Sequence, residues 1–241
     1  MVGQRKPPRL SVARIMKTGY RWVLSSLVLL GLTACSGGSG NGDANAGLAI
    51  PPHNVVVTHI DASGDARGGG GTAWDITQVQ TTLLEGPFRD EYVTLNVAVT
   101  FSQDVSSALP VAGASLADHP ELLGVGILLN TDGNSTGASD YLCSSSPNIS
   151  GIDAYVDPGT YQGRRANGSF PILDANGIPK DEATVSVAGH TITYTINLAA
   201  WGSPPTGLPN TSLAVIALNG ANGGTQTDCA PDASTFRVSA Q

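Results

Sequence analysis

The chain has few charged, aromatic and sulfur-containing side chains. Of its 241 residues, 13% are charged and 5% aromatic, and there are three cysteines and two methionines. No CxxC motif and no Cys/His cluster occurs, which excludes the usual zinc and thiol redox motifs. The glycine run Gly68–Gly71 is not followed by G-K-[S/T], so a P-loop for a nucleotide phosphate is excluded as well.

Basic residues are concentrated at the N-terminus. Residues 1–21 contain six of the 12 Lys and Arg side chains and no acidic one, and the apolar run Trp22–Leu32 follows. A positive segment, about ten apolar residues and then small residues are typical of a secretory signal peptide, and this run is too short to span a bilayer stably. The alternative is an anchor helix that stays attached to the protein.

The residues that end this segment favour the signal peptide. Leu32-Thr-Ala-Cys35 resembles the lipobox of bacterial lipoproteins. The resemblance implies cleavage before Cys35, acylation of its thiol and attachment to a membrane by lipid. Ser36 stands where an inner-membrane retention signal has Asp, which implies the outer membrane of a Gram-negative cell. We therefore expect a signal peptide over residues 1–34, a lipidated Cys35 with a Gly/Ser-rich tether over 35–49, and one folded domain over 50–241.

Cleavage would change both the charge and the cysteine count of the protein. Six basic and 19 acidic residues would remain, a net charge near −13. This charge disfavours nucleic acid and anionic lipid surfaces as partners, and favours cations or neutral ligands. Cys143 and Cys229 would remain as an even pair in an exported domain. They are predicted to form a disulfide worth roughly 3–4 kcal/mol in the chain-entropy model, with two separate buried thiols as the alternative.

Residues 50–241 show strand patterns and almost no helical one. Tyr92–Phe101 and Thr191–Asn197 alternate with a period of two, Gly124–Asn130 is a continuous apolar run, and the short link Ala188–His190 predicts a hairpin. Ten strands are predicted: Asn54–Ile60, Trp74–Leu84, Tyr92–Phe101, Leu122–Asn130, Gly151–Val156, Ser169–Leu173, Thr184–Ala188, Thr191–Leu198, Ser212–Leu218 and Thr235–Val238. Short strands separated by Gly, Pro and Asn turns predict an all-β domain, a single β-sandwich.

A loop of alternating oxygen-bearing side chains follows the apolar run. Calcium takes six to eight oxygen ligands, and Asp and Asn supply them on short side chains. The loop is not an EF-hand, because its sixth position is Ser135 and its twelfth is Tyr141. The predicted calcium ligands are Asn130, Asp132, Asn134 and Asp153. The alternative is an Asn/Asp/Gly turn without metal.

Further candidates for binding lie elsewhere in the sequence. Asp61, Asp65 and Asp75 either form a second group of oxygen ligands or cap turns. Tyr141 and Tyr161 lie in polar loops and are the aromatic residues best placed to stack on a sugar.

The order of these motifs resembles a group of exported bacterial β-sandwich domains with the layout of DOMON and family 9 carbohydrate-binding modules. The motifs are Asp61-x-x-Gly-Asp65, Trp74-Asp75-Ile76, Asn130-Thr-Asp-Gly-Asn-Ser-Thr-Gly137, Gly151-Ile-Asp-Ala-Tyr155 and Thr227-Asp-Cys-Ala-Pro-Asp232. The resemblance implies a jelly-roll-like sandwich that binds a ligand, with calcium supporting its loops, and it matches Trp74 to a family aromatic. Haem-binding DOMON domains use a Met/His pair. Both methionines, Met1 and Met16, lie in the predicted signal peptide, so no haem of this kind is expected.

These observations predict a lipid-anchored binding module of the cell envelope that has no catalytic activity. Its expected ligand is a glycan or another surface component such as an envelope protein. One alternative is a metal-dependent hydrolase that uses Asp132 and Asp153 with a histidine as base. The other is a purely structural envelope lipoprotein.

Overall fold

The computed structural model describes residues 54–66, 73–85, 92–119, 121–134, 139–141, 149–159, 163–198, 211–220, 225–231 and 235–238. The chain separates into two compact units, Met1–Leu48 and Ala49–Gln241, and all described residues belong to the second. The predicted signal peptide and Cys35 therefore lie outside the described residues. Within the described ranges, no helix has the length and apolar character needed to cross a membrane.

The described residues form thirteen strands and one turn of 3₁₀ helix, Leu116–Asp118. The strands are β1 (Val55–Ile60), β2 (Ile76–Glu85), β3 (Tyr92–Phe101), β4 (Leu123–Asn130), β5 (Ser139–Tyr141), β6 (Ile149–Ile152), β7 (Ala154–Val156), β8 (Phe170–Asp174), β9 (Pro179–Ala188), β10 (Thr191–Asn197), β11 (Ser212–Asn219), β12 (Thr225–Ala230) and β13 (Phe236–Arg237).

Eleven of these strands belong to one antiparallel sheet. Their order is β1-β2-β3-β10-β9-β8-β7-β4-β11-β12, with β13 beside β11, while β5 and β6 form a separate pair. Strand β9 turns the sheet from one layer into the other. Its residues 179–183 pair with β8, and its residues 184–188 pair with β10. The first layer is thus β1, β2, β3, β10 and the second half of β9, and the second layer contains the remaining strands of the sheet.

The main core lies between the two layers, as expected for a sandwich-like fold. Alternate residues of β3 and β10 point into it, including Val97 and Tyr194, both fully buried. Two contacts of Tyr194 cross from one layer to the other: its ring lies 5.9 Å from that of Phe170, and its hydroxyl donates a hydrogen bond to the carbonyl oxygen of Val125 at 3.4 Å.

Strands β4 and β11 are buried on both faces, so every residue of each is buried. Their second face packs against a smaller core that includes Leu116, Ile149 and Ile152. Gly124 allows this packing, because a Cβ atom there would lie 2.5 Å from Leu116 Cδ2 and 2.7 Å from the carbonyl oxygen of Pro158. The continuous apolar run in the sequence is explained by this double burial.

The predicted all-β fold is confirmed, and so is the β9–β10 hairpin, in which Ala188 pairs with Thr191. The two layers are joined through β9 into one sheet. The ten predicted strands omit β5 and β12 and the first half of β9. These segments are polar, so they carry no apolar periodicity from which a strand could be predicted.

Candidate metal centre

Three aspartates from distant parts of the chain meet at one end of the sandwich. Asp65, Asp75 and Asp228 each offer a carboxylate oxygen, and these oxygens lie within 4.8 Å of one another. Among the described residues, this is the one group of three or more His, Cys, Asp or Glu side chains that meets this distance. Asp75 and Asp228 are buried, with 8% and 3% of their surface exposed, while Asp65 is exposed. We call these residues the aspartate cluster.

The segment between β1 and β2 supplies two members of the cluster. Asp65 follows a turn in which Gly64 has a φ of +86°, a value that glycine adopts without strain. The amide of Gly64 donates a hydrogen bond to Asp75 Oδ1 at 2.8 Å. The carbonyl oxygen of Asp75 accepts a hydrogen bond from the amide of Ser102, at the end of β3, at 2.9 Å. These two bonds fix Asp75 immediately before β2 and bring the turn that carries Asp65 against it.

Asp228 reaches the cluster from β12, the last strand in the order of the sheet. Its Oδ2 accepts a hydrogen bond from the amide of Ile76 at 2.6 Å, and its Oδ1 accepts one from the amide of Cys229 at 2.8 Å. The first bond joins β12 to the start of β2, so it nearly closes the sheet. Nearby elements approach in the same way, since the rings of His59 on β1 and Phe236 on β13 stack with their centroids 5.2 Å apart. We call the boundary where β1 and β2 meet β12 and β13 the seam.

Burial and like charge act together on Asp228. Burial raises the pKa of its carboxyl, the two amide hydrogen bonds oppose that change, and the neighbouring Asp65 and Asp75 raise the pKa further, to about 7. Removal from water and neighbouring negative charge both disfavour the ionised form. A bound divalent cation would act in the opposite direction, because it favours three ionised carboxylates.

The donor set fits a hard cation. All three side chains are carboxylates, and each carboxylate oxygen has two lone pairs, so an oxygen that accepts one amide hydrogen bond retains acceptor capacity. Calcium binds carboxylates and fills the rest of its coordination with backbone carbonyls and water. The cluster contains no histidine or cysteine, the ligands that zinc prefers in structural sites.

The predicted calcium loop is held together by its own hydrogen bonds. Asn130 is buried, and its Oδ1 accepts from the Gly133 amide at 2.6 Å while its Nδ2 donates to the Asn134 carbonyl oxygen at 3.0 Å. Asp132 is exposed, and its Oδ1 accepts from the Asn134 amide at 2.7 Å. Asp153 Oδ2 accepts from both the amide and the hydroxyl of Thr131, at 2.8 and 2.9 Å. These are capped turns, the arrangement expected for the alternative without metal, and calcium at this loop stays a prediction.

The predicted ligand-binding aromatics differ in their placement. Trp74 packs in the main core with 7% of its surface exposed, so its ring offers a sugar little surface for stacking. Tyr141 ends β5, and Tyr161 lies outside the described residues. Cys229 is buried in the smaller core, whereas Cys143 lies outside the described residues, so their pairing stays a prediction.

The hydrolase alternative requires a histidine beside Asp132 or Asp153. His119 Nδ1 lies 3.3 Å from Glu121 Oε1, His190 Nδ1 lies 3.2 Å from the carbonyl oxygen of Phe101, and His59 stacks on Phe236. Among the described histidines, these contacts involve residues other than the two aspartates, and His53 lies outside the described residues.

The sequence offered Asp65 and Asp75 as members of one group of oxygen ligands, with turn capping as the alternative, and Asp228 was not included in that group. It placed Asp61 with them, and Asp61 instead lies beside His59, whose Nε2 is 3.7 Å from its Oδ1. The signal for Asp228 was present in the motif Thr227-Asp-Cys-Ala-Pro-Asp232, but its partner strand depends on the path of the whole sheet. Neither a protein-family model nor a curated protein matches the chain. The likeness to DOMON and family 9 carbohydrate-binding modules therefore stays a prediction.

Proposed function

We propose that this protein is a lipid-anchored, non-catalytic binding module of the bacterial cell envelope, attached to the outer membrane, in which a calcium ion stabilises the seam. Its ligand would be a glycan or another component of the cell surface. The proposed cellular location depends on the basic segment, the apolar run and Leu32-Thr-Ala-Cys35. The disulfide between Cys143 and Cys229 is part of the proposal, because it suits an oxidising compartment.

The aspartate cluster carries the calcium part of this proposal. Three carboxylates converge at the end of the sandwich, and two of them are buried. Without a cation, ionising Asp228 there is opposed by burial and by Asp65 and Asp75. A cation at the cluster would join the segment before β2 to β12, so it would stabilise the closed arrangement of the sheet. We therefore assign the cation a structural role, in which it holds the loops that support ligand binding, and not a catalytic role.

Two experiments test the proposal. Calorimetric titration of the purified chain with CaCl2 should show one site per chain, which Asp65→Asn removes and the matched surface variant Asp118→Asn retains. The absence of calcium binding would contradict the calcium part. Cell fractionation should place the native protein in the membrane fraction, and Cys35→Ser should move it to the soluble fraction. A Cys35→Ser protein that stays in the membrane fraction would contradict the lipid anchor.

A further inference from the structure

The outer face of the first layer carries a continuous set of uncharged side chains. It is formed by the outward residues of β1, β2, β3, β10 and the second half of β9, which alternate with the buried residues of the same strands. At the described outward positions the side chains are Thr, Ser, Asn, Gln, Ala, Val, Ile and Leu, and none is charged. The pairing places Ser186, Thr193, Ala98, Gln80 and Thr58 in one row across all five strands. We call this surface the threonine face.

Several polar groups of the threonine face hold one another in place. The hydroxyls of Thr100 and Thr191 are 3.1 Å apart, and the Thr195 hydroxyl donates to Asn96 Oδ1 at 2.8 Å. Gln80 Nε2 on β2 donates to the Thr58 hydroxyl on β1 at 3.2 Å. Each of these pairs is a direct cross-strand partner. Side chains fixed in this way lose less rotamer freedom when they bind a ligand.

The face also has a regular spacing. Adjacent strands lie about 4.8 Å apart, and alternate residues along a strand lie about 6.7 Å apart. Five strands and four rows therefore present a grid of roughly 20 Å in each direction. Each Thr or Ser hydroxyl both donates and accepts hydrogen bonds, and the Asn and Gln amides do so as well. This matches a partner whose surface consists of hydroxyl or amide groups.

Charge and composition restrict the class of partner. The whole chain has a net charge of −7, so a face without charge does not attract an anionic polymer such as nucleic acid. Protein interfaces are enriched in Tyr, Trp, Phe, Met and Arg, and none of these occurs among the outward side chains of the threonine face that the structure describes. Binding a neutral polymer with many hydroxyl groups requires neither a charged surface nor the residue types that are enriched in protein interfaces.

We propose, building on the binding role proposed above, that the threonine face binds a neutral polysaccharide. Binding is through hydrogen bonds from many side chains, without aromatic stacking. Each contact is weak, so affinity depends on simultaneous contacts along a polymer. Single sugars therefore bind poorly, and salt has little effect.

The test is sedimentation of the purified full-length chain, kept soluble in a detergent without sugar, with insoluble neutral polysaccharides: cellulose, chitin, starch, mannan and agarose. We expect retention on at least one of them, a change of less than about twofold between low and high salt, and no competition by monosaccharides. Both Thr193→Glu and Thr193→Lys should weaken retention at least tenfold, and the isosteric Thr193→Val should weaken it less. The matched loop variants Ser107→Glu and Ser107→Lys should bind as the native chain does.

Three results would overturn the proposal. The first is no retention on any of the five polysaccharides. The second is a loss with Thr193→Glu but not with Thr193→Lys, which would indicate attraction between charges. The third is a dimer in sedimentation velocity that Thr193→Glu dissociates, without polysaccharide binding, which would assign the face to a second copy of the chain. The calcium titration of Asp65→Asn does not involve this face, so failure of one proposal is distinguishable from failure of the other.

Discussion

The Asp228 carboxylate on β12 accepts a hydrogen bond from the Ile76 amide at the start of β2, with 2.6 Å between Oδ2 and N. These residues are 152 positions apart in sequence, and β2 and β12 lie near opposite ends of the order of strands. One buried contact thus joins both ends of the sheet and also contributes a carboxylate to the aspartate cluster. Structural closure and the proposed cation site share this residue.

Loss of the Asp228 carboxylate should destabilise the protein in the absence of metal. Asp228→Ala leaves the Ile76 and Cys229 amides without their acceptor, and a buried unsatisfied donor costs about 1–3 kcal/mol. Asp65→Ala removes another carboxyl group of the aspartate cluster, but from an exposed position, and serves as the matched control. Urea unfolding in EDTA should give a clearly lower free energy of unfolding for Asp228→Ala than for Asp65→Ala. Equal values would show that the seam does not depend on this bond.

The predicted disulfide should be present in the exported protein. Peptide mapping without reductant should recover Cys143 and Cys229 in one linked peptide, and reduction should lower the free energy of unfolding by roughly 3–4 kcal/mol because it frees a long loop in the unfolded chain. Cys143→Ser should match the reduced native protein and should not respond to reductant. Two alkylatable thiols in the unfolded, unreduced protein would contradict the pairing.

Glu182 should make the free energy of unfolding depend on pH in the acidic range. The Ser169 hydroxyl, the Asn167 amide and the Arg165 guanidinium favour its ionised form and lower its pKa. The ionised carboxylate thus stabilises the fold above its ordinary pKa of 4.5, and this contribution is lost as the pH falls through the lowered pKa. The difference in unfolding free energy between native protein and Glu182→Gln should therefore shrink from pH 6 to pH 3.

Asp181→Asn, on the same strand, is the matched control for that measurement. Chemical unfolding should be followed for all three proteins across the same pH range. A difference between native protein and Glu182→Gln that stays constant with pH would show that the carboxylate acts through packing alone.

The local sequence pattern was sufficient to predict the strands that have one buried apolar face and one polar face. In β3 and β10, buried apolar residues alternate with Thr and Asn, and the predicted bounds of β3, Tyr92–Phe101, are those observed. Strand β4 was found from its apolar run for a different reason, burial on both faces. In β12, the sequence Thr-Gln-Thr-Asp-Cys-Ala has no such pattern, and its position depends on contacts with distant strands.

The same difference between local pattern and distant contacts explains why only part of the candidate site could be predicted from the sequence. Asp65 and Asp75 are separated by one loop, so sequence proximity placed them together. Asp228 joins them only because the sheet path brings β12 back to the start of β2, and no local pattern encodes that path. In the loop after β4, alternating Asn and Asp serve both capped turns and calcium sites, so composition could not distinguish the two.

Thermal unfolding with and without calcium is the most direct test of the central claim that a cation stabilises the seam. With calcium at about a hundred times its dissociation constant, one site adds about 2.7 kcal/mol, which for a domain of this size raises the midpoint by about 5–10 °C relative to EDTA. We expect this shift in the native protein and in Asp132→Asn, and its loss in Asp65→Asn. An unchanged native midpoint, or a shift that Asp132→Asn removes and Asp65→Asn retains, would contradict a calcium site at the aspartate cluster.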